Sequence, residues 1–182
     1  MKKILSSLFI IILLLVFVSG CEEKESTTTT NTQTNTSGDI SSADDLVNKE
    51  GMLTCTREGV GQGDITPSFS YVVTFRDGEL LTLRAIEKVS SPSGTGLEEY
   101  YNAYLNINTK YEGLEHYNSE VTKTDTTVTR DTFIDYEHID TEKILQIEGN
   151  EDNVIDEDGK ASVDMWLKLA SKFGTKCNES SI

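Results

Sequence analysis

The chain has 182 residues, a formal net charge of −15 and a hydrophobic share of 36%. So acidic a balance argues against docking on nucleic acid, which asks for a basic surface, and against electrostatic adhesion to anionic lipid. It suits a cationic partner or diffuse association with divalent ions.

The first segment starts with Lys2 and Lys3 and becomes unbroken and apolar from Leu8 to Val18. A basic start before a short apolar core is the layout of a secretory signal. The core falls short of the roughly 18 residues that a membrane span needs. It ends in Val18-Ser19-Gly20-Cys21, which resembles the lipobox of bacterial lipoproteins. That resemblance implies a signal peptide over residues 1–20, cut before Cys21. The Cys21 thiol would carry a diacylglycerol, and the new amino group can be acylated too. Two or more acyl chains hold a protein on a membrane where one does not. Removal of Lys2 and Lys3 with the signal takes the net charge from −15 to −17.

Residues 21–45 run through "EEKESTTTTNTQTNTSGDISSADD" and hold almost no apolar side chain. Such a segment cannot bury enough surface to offset its ordering entropy, so it reads as a lipidated, disordered tether. Residues 46–182 then form one domain by length.

Within that domain, "GMLTCTREG" (51–59) is β-favouring and reads as a first strand. "GVGQGD" (59–64) is glycine-rich without a lysine and reads as a flexible loop. "SFSYVVTF" puts Phe69, Tyr71, Val73 and Phe75 on one face by alternation. Asp77-Gly78 is a strong hairpin signal, and "ELLTLRAIEKV" returns as the next strand. Leu97, Tyr101, Tyr104, Asn108 and Tyr111 share a helical stripe, with Tyr100, Ile107 and Leu114 beside it. Ser93 or Thr95 is the expected cap and Gly113 lies near the end. The tyrosines suggest a carbohydrate platform, but tyrosines at this spacing more often form core and core margin.

The threonine-rich stretch from Tyr117 divides near Asp125 into two strands. "DTEKILQIEG" reads as a short helix capped by Asp140 or Thr141. "SVDMWLKLASKFG" reads as a helix burying Val163, Trp166, Leu167, Ala170 and Phe173, with Gly174 as its stop. "TKC" returns the chain to the sheet. The class is α+β, with a mainly antiparallel sheet from two hairpins packed on a long central helix and a C-terminal helix.

With Cys21 lipidated, Cys55 and Cys177 remain as an even pair outside the membrane, which reads as a disulfide. Their Cα atoms are expected about 4.4–6.8 Å apart. Two buried free thiols are the alternative.

The paired hairpins, the tyrosine-rich helix and the tail "EGNEDNVIDEDGKASVDMWLKLASKFG" resemble the YehR-like family of small bacterial lipoproteins. The Cys55 and Cys177 frame is similar to a Gram-positive branch of it. The family has no established activity, so the resemblance implies no catalytic residue.

Catalytic and metal motifs are sparse. Aligning Gly159 with the turn glycine of an EF-hand places Asp156 and Asp158 on ligand positions. Val154 and Met165 then occupy two positions that need carboxylates. A looser, weak calcium site would use Asp152, Asp156 and Asp158. His116 and His138 have no ligand spacing to a cysteine, so no metal and no cofactor are expected. His138 in "DYEHID" has carboxylates nearby but no nucleophile. The sequence therefore points to a membrane-anchored, extracellular, non-catalytic binding module for a cell-envelope protein or cationic ligand. An enzyme acting on envelope polymers is the alternative, and a deep cleft with convergent carboxylates would favour it.

Overall fold

The structure is a computed structural model and describes residues 46, 48–59, 61–149 and 153–180. The expected lipidation site Cys21 and the expected tether lie outside the described residues, as does the calcium candidate Asp152.

Among the described residues, six strands and three helices follow in chain order. They are β1 (Glu50–Glu58), β2 (Thr66–Arg76), β3 (Glu79–Ser90), α1 (Leu97–Lys110), β4 (Tyr117–Lys123), β5 (Thr127–Asp135), α2 (Thr141–Glu148), α3 (Val163–Lys172) and β6 (Lys176–Ser180). The strands form one sheet in the order β4-β5-β3-β2-β1-β6, and every neighbouring pair is antiparallel. The fold is α+β.

Alternation decides which face of the sheet is covered. Leu53, Cys55, Val73, Phe75, Leu83, Val89, Val128 and Ile134 are buried on one face and share a core with the helices. Each large apolar side chain so buried contributes about 1.5–3 kcal/mol. The opposite face carries Thr54, Thr74, Thr82, Arg84 and Asp131, with Phe133 the most exposed large apolar side chain there at 44%. Helix α1 packs over β3, β5 and β4. Trp166 of α3 meets Tyr71 of β2 edge to face, with ring centroids 5.1 Å apart.

Two glycines explain local geometry. Asp77 and Gly78 both have positive φ, 52° and 83°, which the two-residue type I′ hairpin turn requires. Gly51 faces Phe75 across β1 and β2, and a Cβ there would stand 3.0 Å from the ring. The missing side chain is what lets the fully buried Phe75 fill that end of the core.

The end signals are partly as expected. Asp140 caps α2, accepting from Lys143 N–H at 3.1 Å, and Gly174 follows α3 with φ 67°. Ser93 and Thr95 do not cap α1. Its cap is Gly96 at φ 80°, without a side-chain hydrogen bond. The reason is competition. Asp64 takes the Ser93 hydroxyl, the Ser93 amide at 2.8 Å and the Ser91 hydroxyl at 2.9 Å. With its proton on Asp64, Ser93 Oγ accepts from the Thr95 hydroxyl at 2.9 Å. These bonds, from the Ser93 side chain first, hold the Asp64 carboxyl below its usual value. Thus the end of the glycine-rich loop is pinned to the entry of α1, where flexibility was expected.

Cys55 and Cys177 are bonded and sit directly opposite each other in the β1–β6 ladder. Their Cα atoms are 4.0 Å apart, below the expected range. A directly opposed cross-strand pair of the narrow type lies near 4.5 Å, and the ladder sets this distance.

Candidate functional site

Between the sheet and the helices lies a cavity of about 70 Å³. Tyr71, Glu87, Arg130, Tyr136, Glu148 and Trp166 are in its wall. A polar wall inside a core calls for an account of each charge and donor.

The centre of the network is Arg130 on β5. It sits directly across from Glu87 on β3, and the two side chains are only 4% and 12% exposed. Arg130 Nη1 donates to Glu87 at 2.8 Å, Nη2 to the Tyr117 hydroxyl at 2.6 Å, and Nε to Asn108 Oδ1 at 2.9 Å. Asn108 comes from α1 and also accepts from Ser119 of β4 at 2.9 Å. One guanidinium therefore ties α1 to three strands. Its planar fork of donors suits this task.

Beside it, Tyr111 and Tyr117 stack with centroids 4.4 Å apart and planes 7° from parallel. The Tyr111 hydroxyl donates to Glu148 at the end of α2, at 2.8 Å. Burial pushes the Glu148 carboxyl above the ordinary glutamate value, while the Tyr111 bond pulls the other way. Burial likewise pushes the hydroxyls of Tyr71, Tyr104, Tyr111, Tyr117 and Tyr136 up. The Trp166 Nε1–H is buried without a hydrogen-bond partner.

The tyrosines of α1 thus serve the core and its margin. Tyr104 and Tyr111 are buried, and Tyr100 and Tyr101 pack against the core with part of each exposed.

Glu148 yields a pH prediction. The interior favours its protonated form. Its contribution to stability is complete below the ordinary glutamate pKa and is lost as pH rises through the raised folded value. Urea midpoints should therefore fall less steeply between about pH 4 and pH 7 in Glu148→Gln than in the wild type. Equal slopes would contradict the assignment.

Elsewhere, Asp156 and Asp158 share one tight turn. Asp156 Oδ1 accepts from the amides of Asp158 and Lys160, each at 2.9 Å. That carboxylate oxygen closes the turn. The two histidines, without ligand spacing to a cysteine, meet at a carboxylate. His116 Nδ1 and His138 Nδ1 lie 3.7 Å and 2.8 Å from the same oxygen, Asp135 Oδ2.

Among the described residues no helix is long and apolar enough to cross a membrane. No family model and no curated protein matches the chain. Solved structures similar to it include the NMR structure of the E. coli YehR protein, at 22% identity and a TM-score of 0.47. That match covers 71% of this chain and 91% of YehR. Another is the NMR structure of a protein from Streptococcus pneumoniae TIGR4, at 14% identity and a TM-score of 0.43, covering 90% of this chain and 99% of that one.

Proposed function

We propose that the protein is a membrane-anchored, extracytoplasmic lipoprotein of the YehR-like kind, whose α+β domain is a non-catalytic binding module. The observation that carries the anchor is Cys21 at the border of the apolar run and the polar tether. A thiol is the nucleophile that takes the lipid, and small residues before it admit the peptidase. The Thr54-Cys55 and Cys177 frame fits the Gram-positive branch.

The interior supports a binding role over catalysis. The cavity of about 70 Å³ is well below the roughly 300–1,000 Å³ of small-molecule sites. Its two carboxylates are engaged, Glu87 by Arg130 and Glu148 by Tyr111. Recognition of a cell-envelope protein or cationic ligand then falls to the outer surface, in keeping with the mature charge. Binding carried by that charge weakens steeply with salt, over a screening length of about 8 Å at physiological strength.

Metabolic labelling with an alkyne fatty acid tests the anchor. The wild type should label, and Cys21→Ser should lose the label completely and leave uncleaved or shed precursor. Persistent labelling of Cys21→Ser would refute the anchor. Turnover of an envelope polymer by the purified protein would refute the non-catalytic reading.

A further inference from the structure

Both histidines of the chain meet at one carboxylate, although 22 residues separate them in sequence. Antiparallel pairing explains how. Tyr117, the first residue of β4, stands opposite Ile134 near the end of β5. His116 just before β4 and Asp135 at the end of β5 are therefore neighbours, and the Asp135 amide donates to the His116 carbonyl at 3.0 Å. The chain turns after β5, and His138 comes back over Asp135. The Ile139 amide donates to the Asp135 carbonyl at 3.0 Å and so holds that turn.

The carboxylate is oriented. Asp135 Oδ1 accepts from the Glu137 amide at 3.1 Å, which turns Oδ2 toward the two imidazoles. The rings stack with centroids 5.3 Å apart and planes 28° from parallel. One ligand atom from each of the three residues lies within 4.8 Å of the others. Bonds of about 2.0–2.2 Å in a tetrahedral site put ligand atoms about 3.3 Å from each other. Closing from 4.8 Å to that spacing asks the exposed imidazoles to move by about 1.5 Å.

We propose that His116, Asp135 and His138 form a binding site for a borderline divalent cation of the zinc type. Two imidazole nitrogens with one carboxylate oxygen suit Zn²⁺, Ni²⁺ or Cu²⁺, whereas Ca²⁺ and Mg²⁺ take oxygen ligands. Three protein ligands leave at least one position for solvent or for a group from a partner. The imidazoles are 42% and 61% exposed at their side chains, so the cation reaches them without opening the fold. The net charge of −15 raises the local cation concentration. Cys55 and Cys177 are held in the disulfide and offer no competing thiolate. This site is independent of the lipid anchor and of the interior cavity.

The test is calorimetric titration of the chelator-stripped, full mature chain in detergent with Zn²⁺. One equivalent should bind, and millimolar Ca²⁺ should not displace it. His116→Asn keeps a residue that tolerates the left-handed φ of 65° found there. His116→Asn and His138→Ala should each weaken binding at least about 100-fold, beyond the loss typical of outer hydrogen-bonding partners. In the wild type, Zn²⁺ should also shift the imidazole nitrogen resonances of both histidines. Absence of stoichiometric binding, unchanged affinity in both variants, or imidazole resonances that ignore Zn²⁺ would each overturn the proposal.

Discussion

Arg130→Met is expected to destabilise the domain by about 3–5 kcal/mol, because it leaves a buried carboxylate without its countercharge. The side chain is 4% exposed and donates to groups on three other elements. Its loss strands Glu87 first and also leaves the Tyr117 hydroxyl and Asn108 Oδ1 with fewer donors. The pair itself is a different matter. Two charges taken from water regain through attraction little more than their desolvation costs. A double replacement, Glu87→Leu with Arg130→Met, should therefore lose less than the single Arg130→Met. Urea unfolding of the four members of this cycle checks it. A double variant less stable than the single would mean that the ion pair itself contributes the stability.

Removing the disulfide with Cys55→Ala and Cys177→Ala should cost about 4–5 kcal/mol in the chain-entropy description. The size follows from the 122-residue separation of the two cysteines. Cross-linking so long a loop removes many conformations from the unfolded chain. A local effect should accompany it. Strand β6 has five residues and, among the described residues, pairs on one side only, with β1. Without the bond it should fray, and its amides should lose hydrogen-exchange protection before those of β2 and β3. A stability loss under about 1 kcal/mol would contradict the account.

The strands and helices were legible in the sequence where a local pattern carried them. The alternation of Phe69, Tyr71, Val73 and Phe75, the Asp77-Gly78 turn and the spacing of Val163, Trp166 and Ala170 each reflect a periodicity that burial imposes on one face. The Cys55–Cys177 pairing was legible because the number of cysteines left over was even. The cap of α1 was missed for a physical reason. Ser93 resembles a cap locally, but its hydroxyl is claimed by Asp64, 29 residues away.

The site chemistry was legible least. Arg130 lies in a threonine-rich strand, and nothing near it in sequence signals Glu87, 43 residues earlier. Their encounter depends on β5 joining β3 at one register. His116 and His138 meet only because β4 starts where β5 ends. The sole sequence signal was that His138 stands in "DYEHID", three residues after Asp135. Pair contacts across strands depend on sheet order, and sheet order is not a local property of the chain.

The central claim is that the chain is held at a membrane through Cys21. Intact-mass and N-terminal fragment spectrometry of the protein extracted from membranes tests it most directly. The account predicts a mature chain whose first residue is Cys21, with a diacylglycerol on sulfur and residues 1–20 absent. A membrane-extracted chain that still starts at Met1, or that starts elsewhere with an unmodified Cys21, would contradict it.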